Sequence, residues 1–121
     1  MPQANVTMNV RSVGDQIGIV DVKGEVTTFA ENALMDAHTR VSAGGARTII
    51  LNFTEMEYMN SGGIGLLVTL FIRTTRQKQR LLIYGLSEHY KHIFEITRLN
   101  EAIGTYDTEA EALAAAGASQ D

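Results

Sequence analysis

The segment best suited to chemistry is a serine followed by two glycines, Ser61-Gly62-Gly63, between an apolar run typical of a strand and another typical of a helix. A helix start collects the free N–H groups of the first turn and the positive end of the helix dipole. It therefore suits a serine that carries or binds a phosphate. The simpler interpretation is that Ser61 or Asn60 only caps the helix, which stabilises it by about 1 kcal/mol. The glycines favour a further role, because they weaken a helix and are useful where a bulky group or another backbone comes close.

The other polar residues do not form a recognisable catalytic or metal-binding pattern. His89 and His92 could share one helix face, but no third metal ligand stands at a suggestive spacing, which favours a solvated face. The segment from Gly62 to Gly65 lacks the lysine of a phosphate-binding P-loop, and no Gly-x-Ser-x-Gly nucleophile elbow is present. Glu55 and Glu57 are interpreted as solvated carboxylates in a loop. We therefore predict no catalytic residue, no metal and no cofactor.

Length, composition and charge exclude several classes of protein. The chain has 121 residues, of which 45% are hydrophobic, a net charge of −4 and no cysteine. We predict one domain over residues 1–121 with its core from about residue 6 to 113, and neither disulfides nor thiolate metal sites. The acidic balance argues against direct nucleic-acid binding. The lack of a signal-peptide pattern or a long apolar run argues against a membrane, so we expect a soluble cytoplasmic protein.

The spacing of apolar residues predicts a hairpin followed by alternating strands and helices. Strands are predicted at Val6 to Val10, Ile17 to Val22, Thr48 to Phe53, Leu81 to Tyr84 and Ile103 to Tyr106. Helices are predicted from Thr27 or Thr28 to Gly44, from the Ser61 region to about Gln77, after Ser87, and from Thr108 through Ala116. A loop from Thr54 to Tyr58 is expected to lead to Ser61. The order predicts an α/β fold, with a mixed, mainly parallel β-sheet and α-helices after the N-terminal hairpin.

Five local features are predicted as well. Thr28 and Glu31 have the spacing of a capping box at the start of the first helix, and Phe29 belongs to the apolar stripe of that helix. Gly24 is expected where the chain bends sharply or another backbone comes close. Ile96 is assigned to the inward face of the third helix. The third and fourth strands are uninterrupted apolar runs, which favours the middle of the sheet.

The helix after Ser61 is apolar on nearly every side. One stripe consists of Ile64, Leu67, Val68 and Phe71, and a second consists of Leu66 and Leu70. A helix on one face of an open sheet buries one stripe, and the first is assigned to the core. Leu66 and Leu70 either pack on neighbouring helices or form an exposed docking patch beside Ser61. We expect this pair to matter more for binding than for stability.

The motif around Ser61 and the order of elements resemble the STAS domain and, more narrowly, the bacterial anti-sigma factor antagonists. The resemblance runs from about Val6 to Leu113 and includes Gly24-Glu25-Val26 after the second strand. The family pattern near the site is Asp-Ser-Ser-Gly followed by an aliphatic residue and Gly. In the segment from Asn60 to Gly65, the last three residues match that pattern, and Ser61 matches the serine that a partner kinase phosphorylates. Asn60 replaces the usual aspartate and Gly62 the second serine, which leaves a single local phosphoacceptor.

The resemblance implies a switch protein rather than an enzyme. Its unphosphorylated form would bind an anti-sigma factor that is also a serine kinase, and so free the sigma factor; phosphorylation of Ser61 would end the interaction and a serine phosphatase would restore it. The residues expected at the partner interface are Asn60, Ser61, Gly62, Gly63, Ile64, Leu66, Leu70, Gly24 and Glu25. Three alternatives stay open: a nonphosphorylated scaffold in a signalling complex, a domain that binds a small anion or nucleotide at the helix start, and a small enzyme.

Overall fold

Five strands of the computed structural model, which describes residues 5–117, form one sheet in the order β1-β2-β3-β4-β5. They are β1 (Val6–Val13), β2 (Ile17–Val26), β3 (Thr48–Met59), β4 (Arg80–Tyr84) and β5 (Gly104–Tyr106). β1 is antiparallel to β2, and each later pair is parallel. This confirms the predicted hairpin and the mainly parallel sheet with β3 at its centre. Residues 1–4 and 118–121 of the predicted domain lie outside the described residues.

The connections between the strands are helical. A 3₁₀ turn at Thr28–Ala30 is followed by α1 (Glu31–Ala43), α2 (Ser61–Arg76), α3 (Glu88–Ile96), α4 (Leu99–Ala102) and α5 (Glu109–Ala116). The short helix α4 was not predicted. The side chains of Ser87 and Thr108 accept hydrogen bonds from the first turns of α3 and α5, as their spacing suggests. None of the helices within residues 5–117 is both long and apolar enough to span a membrane.

The start of α1 differs from the predicted capping box. Thr27, not Thr28, is the capping residue, and its hydroxyl accepts a hydrogen bond from the N–H of Phe29 at 3.2 Å. The chain first completes the 3₁₀ turn, so Glu31 becomes the first residue of α1 rather than the third. The same turn directs Phe29 outward, and its assignment to the buried stripe was wrong.

The predicted loop from Thr54 to Tyr58 is instead part of β3. This half of β3 pairs with the outer half of β2, with Glu25 opposite Tyr58 and Val26 opposite Met59. β4 pairs with β3 only as far as Asn52, so the extension has a single neighbouring strand and most of its side chains are exposed. Its polar composition therefore reflects an exposed strand and not a loop. Glu55 and Glu57 are exposed, as expected, but lie on that strand.

Gly24 lies where two backbones meet. Its φ of 104° lies in the left-handed region, and a Cβ there would overlap the carbonyl oxygen of Asn5. The N–H of Glu25 donates a hydrogen bond to the same oxygen at 2.9 Å, and the pairing of β2 with β3 changes register at this point. The expected close approach is confirmed. It also leaves Gly24 buried beside Val6 of β1, so the assignment of Gly24 to a partner interface was wrong.

The core lies mainly between the sheet and the helices α1, α2 and α3. On α2 the inner residues are Leu66, Leu67 and Leu70, and Leu66 and Leu70 are only 7% and 0% exposed. The exposed docking patch predicted for Leu66 and Leu70 was therefore wrong. With 3.6 residues per turn, a helix that buries this trio turns Val68 outward. Ile96, assigned to the inner face of α3, is also exposed.

Candidate functional site

Ser61 is the first residue of α2 and is exposed at the carboxyl ends of β2 and β3. Asn60, with extended backbone, is the N-cap: its Oδ1 accepts a hydrogen bond from the N–H of Gly63 at 3.0 Å. This decides between the two capping candidates that the sequence left open. Because the amide of Asn60 caps the helix, the hydroxyl of Ser61 is not needed for that purpose and faces solvent at the positive end of the helix dipole.

The two glycines after Ser61 let the helix start close to its supports. A Cβ on Gly63 would overlap the carbonyl oxygen of Val26, and one on Gly62 would lie 2.6 Å from Cγ2 of Thr28. A side chain at either position would push α2 away from the end of β2 or from the 3₁₀ turn. The close approach predicted from these glycines is therefore made within the chain itself. Gly65 is different, because no atom lies within 4 Å of a Cβ placed there.

The end of β3 is held in place beneath Ser61 by α3. The hydroxyl of Tyr90 accepts a hydrogen bond from the N–H of Met59 at 2.8 Å, and the N–H of Asn60 donates to the carbonyl of Val26 at 3.4 Å. Met59 itself is buried. The backbone that presents Ser61 is therefore fixed on both sides, and the serine occupies one defined position.

An apolar stripe continues from Ser61 along the outer face of α2. Gly65, Val68 and Ile72 follow Ser61 at intervals of four, three and four residues, which keeps all four on one side of the helix. Val68 and Ile72 are 39% and 46% exposed, and Ile64 beside them is partly buried. We call these four residues, Ser61, Gly65, Val68 and Ile72, the outer stripe. It takes the place of the predicted patch of Leu66 and Leu70.

Two exposed aromatic residues stand at the same end of the sheet. Phe29 lies in the 3₁₀ turn whose Thr28 faces Gly62, and Tyr58 lies one residue before the end of β3. Neither residue was predicted at the partner interface. Phe29 matched a helical stripe, and Tyr58 fell in a predicted loop. The signal for Tyr58 was present, since an aromatic next to a strand end and a motif is a common interface residue.

The surroundings of Ser61 are acidic. Glu25 lies one residue before the end of β2, opposite Tyr58, Glu57 lies near the end of β3, and Glu31 begins α1. The first turn of α2 contains neither an acidic nor a basic side chain. A negative group on Ser61 would therefore meet favourable helix-start N–H groups but no neighbouring cation on its own helix. Of the predicted site residues, the structure brings Glu25 and the segment from Asn60 to Ile64 together at this edge. Within that segment Gly63 is buried against Val26, so its assignment to the partner interface was wrong, as for Gly24.

A second polar cluster lies across the sheet and holds α5. Arg11 contacts Asp21 at 2.6 Å and Glu109 at 2.8 Å, and the hydroxyl of Tyr84 donates to Glu109 at 2.7 Å. Hydrogen bonding to Arg11 holds the pKa of both carboxyl groups below the usual range, and burial together with Glu109 raises the pKa of Tyr84 to about 12. These groups satisfy one another, so we interpret the cluster as structural.

No group of three or more possible metal ligands occurs within residues 5–117. His89 stacks edge-on against Tyr90, and His92 lies 3.7 Å from Glu95. The pair therefore resembles an ordinary solvated helix face.

Comparison with known proteins agrees with this architecture. The family model of the STAS domain matches residues 8–112. An anti-sigma-B factor antagonist of Staphylococcus aureus is 31% identical over 98 residues, which cover 80% of this chain and 91% of the relative.

Solved structures share the fold. A crystal structure of an anti-sigma factor antagonist from Mycobacterium paratuberculosis superposes with a TM-score of 0.77 at 21% identity, covering 94% of this chain and 97% of that one. The Bacillus cell fate determinant SpoIIAA in its phosphorylated form superposes with a TM-score of 0.69 at 22% identity, covering 91% of this chain and 99% of that one. The chain therefore belongs to the STAS domain family and is related to the anti-sigma factor antagonists.

Proposed function

We propose that this protein is an anti-sigma factor antagonist whose binding to an anti-sigma factor is switched off by phosphorylation of Ser61. The observation that carries the proposal is the position of the Ser61 hydroxyl, which is exposed, free of the capping role and at the head of the outer stripe. The relationship to anti-sigma-B factor antagonists supports the class of partner. The existence of a phosphorylated form of SpoIIAA, which shares the fold, supports the type of switch. The role is regulatory and not catalytic.

The fold is suited to accept the phosphate. Phosphorylation adds about −1.5 to −2 charges and three acceptor oxygens, which the N–H groups and dipole of a helix start stabilise. Asn60 contributes an uncharged cap at the neighbouring position, so no carboxylate competes for the same N–H groups. We therefore expect the phosphorylated chain to remain folded.

The partner interface, in contrast, is not suited to the phosphate. Val68 and Ile72 offer an apolar surface that a partner would cover, and the open space above Gly65 lets a partner backbone come close. A phosphate at the head of this stripe would lose water on binding without gaining a counter-charge from α2. It would also add to the negative charge of Glu25 and Glu57 nearby. We therefore expect phosphorylation to lower the affinity for the partner without lowering the stability of the fold.

Direct mapping of the modification tests the switch. The protein is incubated with ATP and the anti-sigma factor kinase from its own host, and the modified residue is located by mass spectrometry, with Ser61→Ala as the matched control. We expect phosphate on Ser61 and none on the variant. Phosphate on Ser87 or Thr54 with Ser61 unmodified would contradict the proposal. Stable kinase-partner binding with no phosphate anywhere would support the scaffold alternative instead.

A second experiment tests whether the phosphorylation is reversible. A host serine phosphatase should remove the phosphate from Ser61 and restore binding to the anti-sigma factor. The measurement is a binding titration before and after phosphatase treatment of the phosphorylated protein. Recovery of the original affinity is the expected result, and a permanent loss would indicate damage rather than a switch.

A further inference from the structure

The cations of this acidic protein are concentrated at the end opposite Ser61. Six of its ten lysine and arginine residues lie where the parallel strands begin: Arg40, Arg47, Arg73, Arg76, Lys78 and Arg80. They come from the last turns of α1 and α2, the segment before β3, the connection between α2 and β4, and the start of β4. We call this group the basic end.

Few carboxylates pair with the cations of the basic end, although Arg80 donates to the carbonyl of Ala115 at 2.9 Å and Arg73 to Oγ1 of Thr39 at 3.2 Å. Asp36 contacts Arg40 at 4.0 Å, and Asp15 lies in the turn between β1 and β2 at the same end. The other five cations form no ion pair with any carboxylate of residues 5–117. In a chain with a net charge of −4, this end therefore presents a positive field to solvent.

A network of hydrogen bonds fixes the backbone that carries these charges. The side-chain amide nitrogen of Gln79 donates to Oγ of Ser42 at 3.0 Å and to the carbonyl of Ala46 at 2.9 Å. Its oxygen lies 2.7 Å from Nε2 of the buried His38, which must then carry the proton that it donates. The segment between α2 and β4 is thereby tied to α1, and the backbone on either side of Gln79, which carries Lys78 and Arg80, is fixed.

Lys78 occupies a position that favours glycine. It lies two residues after the end of α2, just past the C-cap Gln77, with a φ of 60°. The N–H of Gln79 donates back to the carbonyl of Thr74 at 2.8 Å. Helices commonly place glycine at this point, because a side chain in left-handed backbone is strained. The backbone strain at Lys78 is therefore not offset by any ion pair of its side chain within residues 5–117.

A cavity adjoins the basic end. It has a volume of about 280 Å³, and its lining includes Phe71, Arg80, Leu82, Gly104 and Tyr106. Arg80 is thus shared between the cavity and the charged surface. An apolar side chain would fit the cavity while its neighbours reach the cations.

We propose that the basic end is a second docking surface, which binds a carboxylate-rich segment of a partner protein through its cations and one apolar side chain through the cavity. Arginine is suited to this partner, since its guanidinium matches a carboxylate in a two-point contact. The cations span several chain segments, which fits an extended segment better than a single small anion. The cavity, whose mixed lining includes the apolar side chains of Phe71 and Leu82, and the acidic remainder of the molecule favour a peptide over a nucleic acid or an anionic membrane. This surface lies beyond the proposed Ser61 switch and does not depend on it.

The test uses a labelled glutamate-rich peptide with one central phenylalanine, titrated into the protein at low and high salt. We expect binding that weakens as salt rises, and much weaker binding of two matched peptides, one with glutamines for glutamates and one with serine for the phenylalanine. Single-stranded DNA and phosphatidylglycerol vesicles serve as competing probes. Binding of either with higher affinity than the glutamate peptide would overturn the proposal.

Lys78→Gly separates binding from folding. It should lower affinity for the glutamate peptide about two- to fivefold, the effect of one exposed ion pair, without lowering the urea midpoint, since glycine relieves the left-handed strain. Arg76→Gln should lower affinity similarly and provides a second variant. The control is Lys23→Gln, which removes the same charge from an exposed site on β2. Equal losses in the control and at the basic end would show a general charge effect and contradict a docking surface.

Discussion

The two faces of α2 contain similar side chains but differ in what those side chains contact. Leu66, Leu67 and Leu70 join the core between the sheet and the helices, whereas Val68 and Ile72 face solvent. An apolar residue on the inner face stabilises the fold, and one on the outer face is available to a partner. Hydrophobicity alone therefore does not separate core from interface on such a helix, because the packing of the helix on the sheet determines which apolar residues are buried.

The largest expected effect is on the inner face. Leu70→Ala should destabilise the protein by about 2–5 kcal/mol, because Leu70 is fully buried and the substitution leaves a cavity. Val68→Ala on the outer face is the matched control and should change stability by no more than about 0.5 kcal/mol. Urea unfolding measures both. Equal losses from the two variants would contradict the division of α2 into two faces.

The next effect is on binding. Ile72→Ser should leave the urea midpoint nearly unchanged but weaken the complex with the anti-sigma factor about tenfold, as loss of an apolar interface residue commonly does. Gly65→Ala tests the open space on the same stripe and should also weaken binding. A titration of each variant against the unmodified partner provides the measurement. Unchanged affinity in both variants would place the interface elsewhere.

The polar cluster around Arg11 should make the stability of the fold depend on pH. The pKa values of Asp21 and Glu109 are lowered in the folded protein, so their contribution to stability is present above the ordinary carboxyl range and is lost as pH falls below about 4. The groups are partly exposed, so we expect about 1 kcal/mol or less. Arg11→Gln should reduce this acid sensitivity. The urea midpoints of both proteins at neutral and acidic pH measure this effect. An equal drop in midpoint on acidification in the two proteins would contradict the assigned role of Arg11.

The smallest effect is expected at Asn60. Asparagine and aspartate cap helices about equally well, so Asn60→Asp should leave the unphosphorylated protein within about 1 kcal/mol of the original. With phosphate on Ser61, the added carboxylate repels it and lowers the melting temperature further than in the original protein. High salt should shrink that difference. Thermal melting of both proteins with and without phosphate measures it, and equal phosphate-induced changes would show that residue 60 does not sense the phosphate.

Much of the fold could be predicted because local patterns and tertiary contacts agree. The uninterrupted apolar runs at β3 and β4 require burial on both faces, and the caps at Ser87 and Thr108 follow from local hydrogen bonding. The motif at Ser61 located the candidate site, since its glycines require close packing that the structure shows. That Asn60 and not Ser61 caps α2 was left open, because both side chains can accept the same kind of hydrogen bond.

Other features depend on contacts that sequence spacing does not reveal. Which apolar stripe of α2 is buried depends on how the helix is rotated on the sheet, and both stripes of the sequence satisfied the helical period. The exposed half of β3 alternates polar and apolar residues only over Glu55 to Tyr58, a run too short to distinguish a strand from a loop. The contact of Arg11 with Glu109 joins opposite ends of the chain, and a single sequence gives no local indication of it.

The most direct test of the proposed switch at Ser61 compares Ser61→Asp with Ser61→Ala in a titration against the anti-sigma factor. Both variants should remain folded by circular dichroism, since a carboxylate at a helix start is favourable by roughly 0.3–1 kcal/mol. We predict that Ser61→Ala binds within about threefold of the original protein, whereas Ser61→Asp loses about tenfold or more, because it places an unpaired charge in the interface. A folded Ser61→Asp protein that binds with the original affinity would contradict the claim that charge at Ser61 controls partner binding.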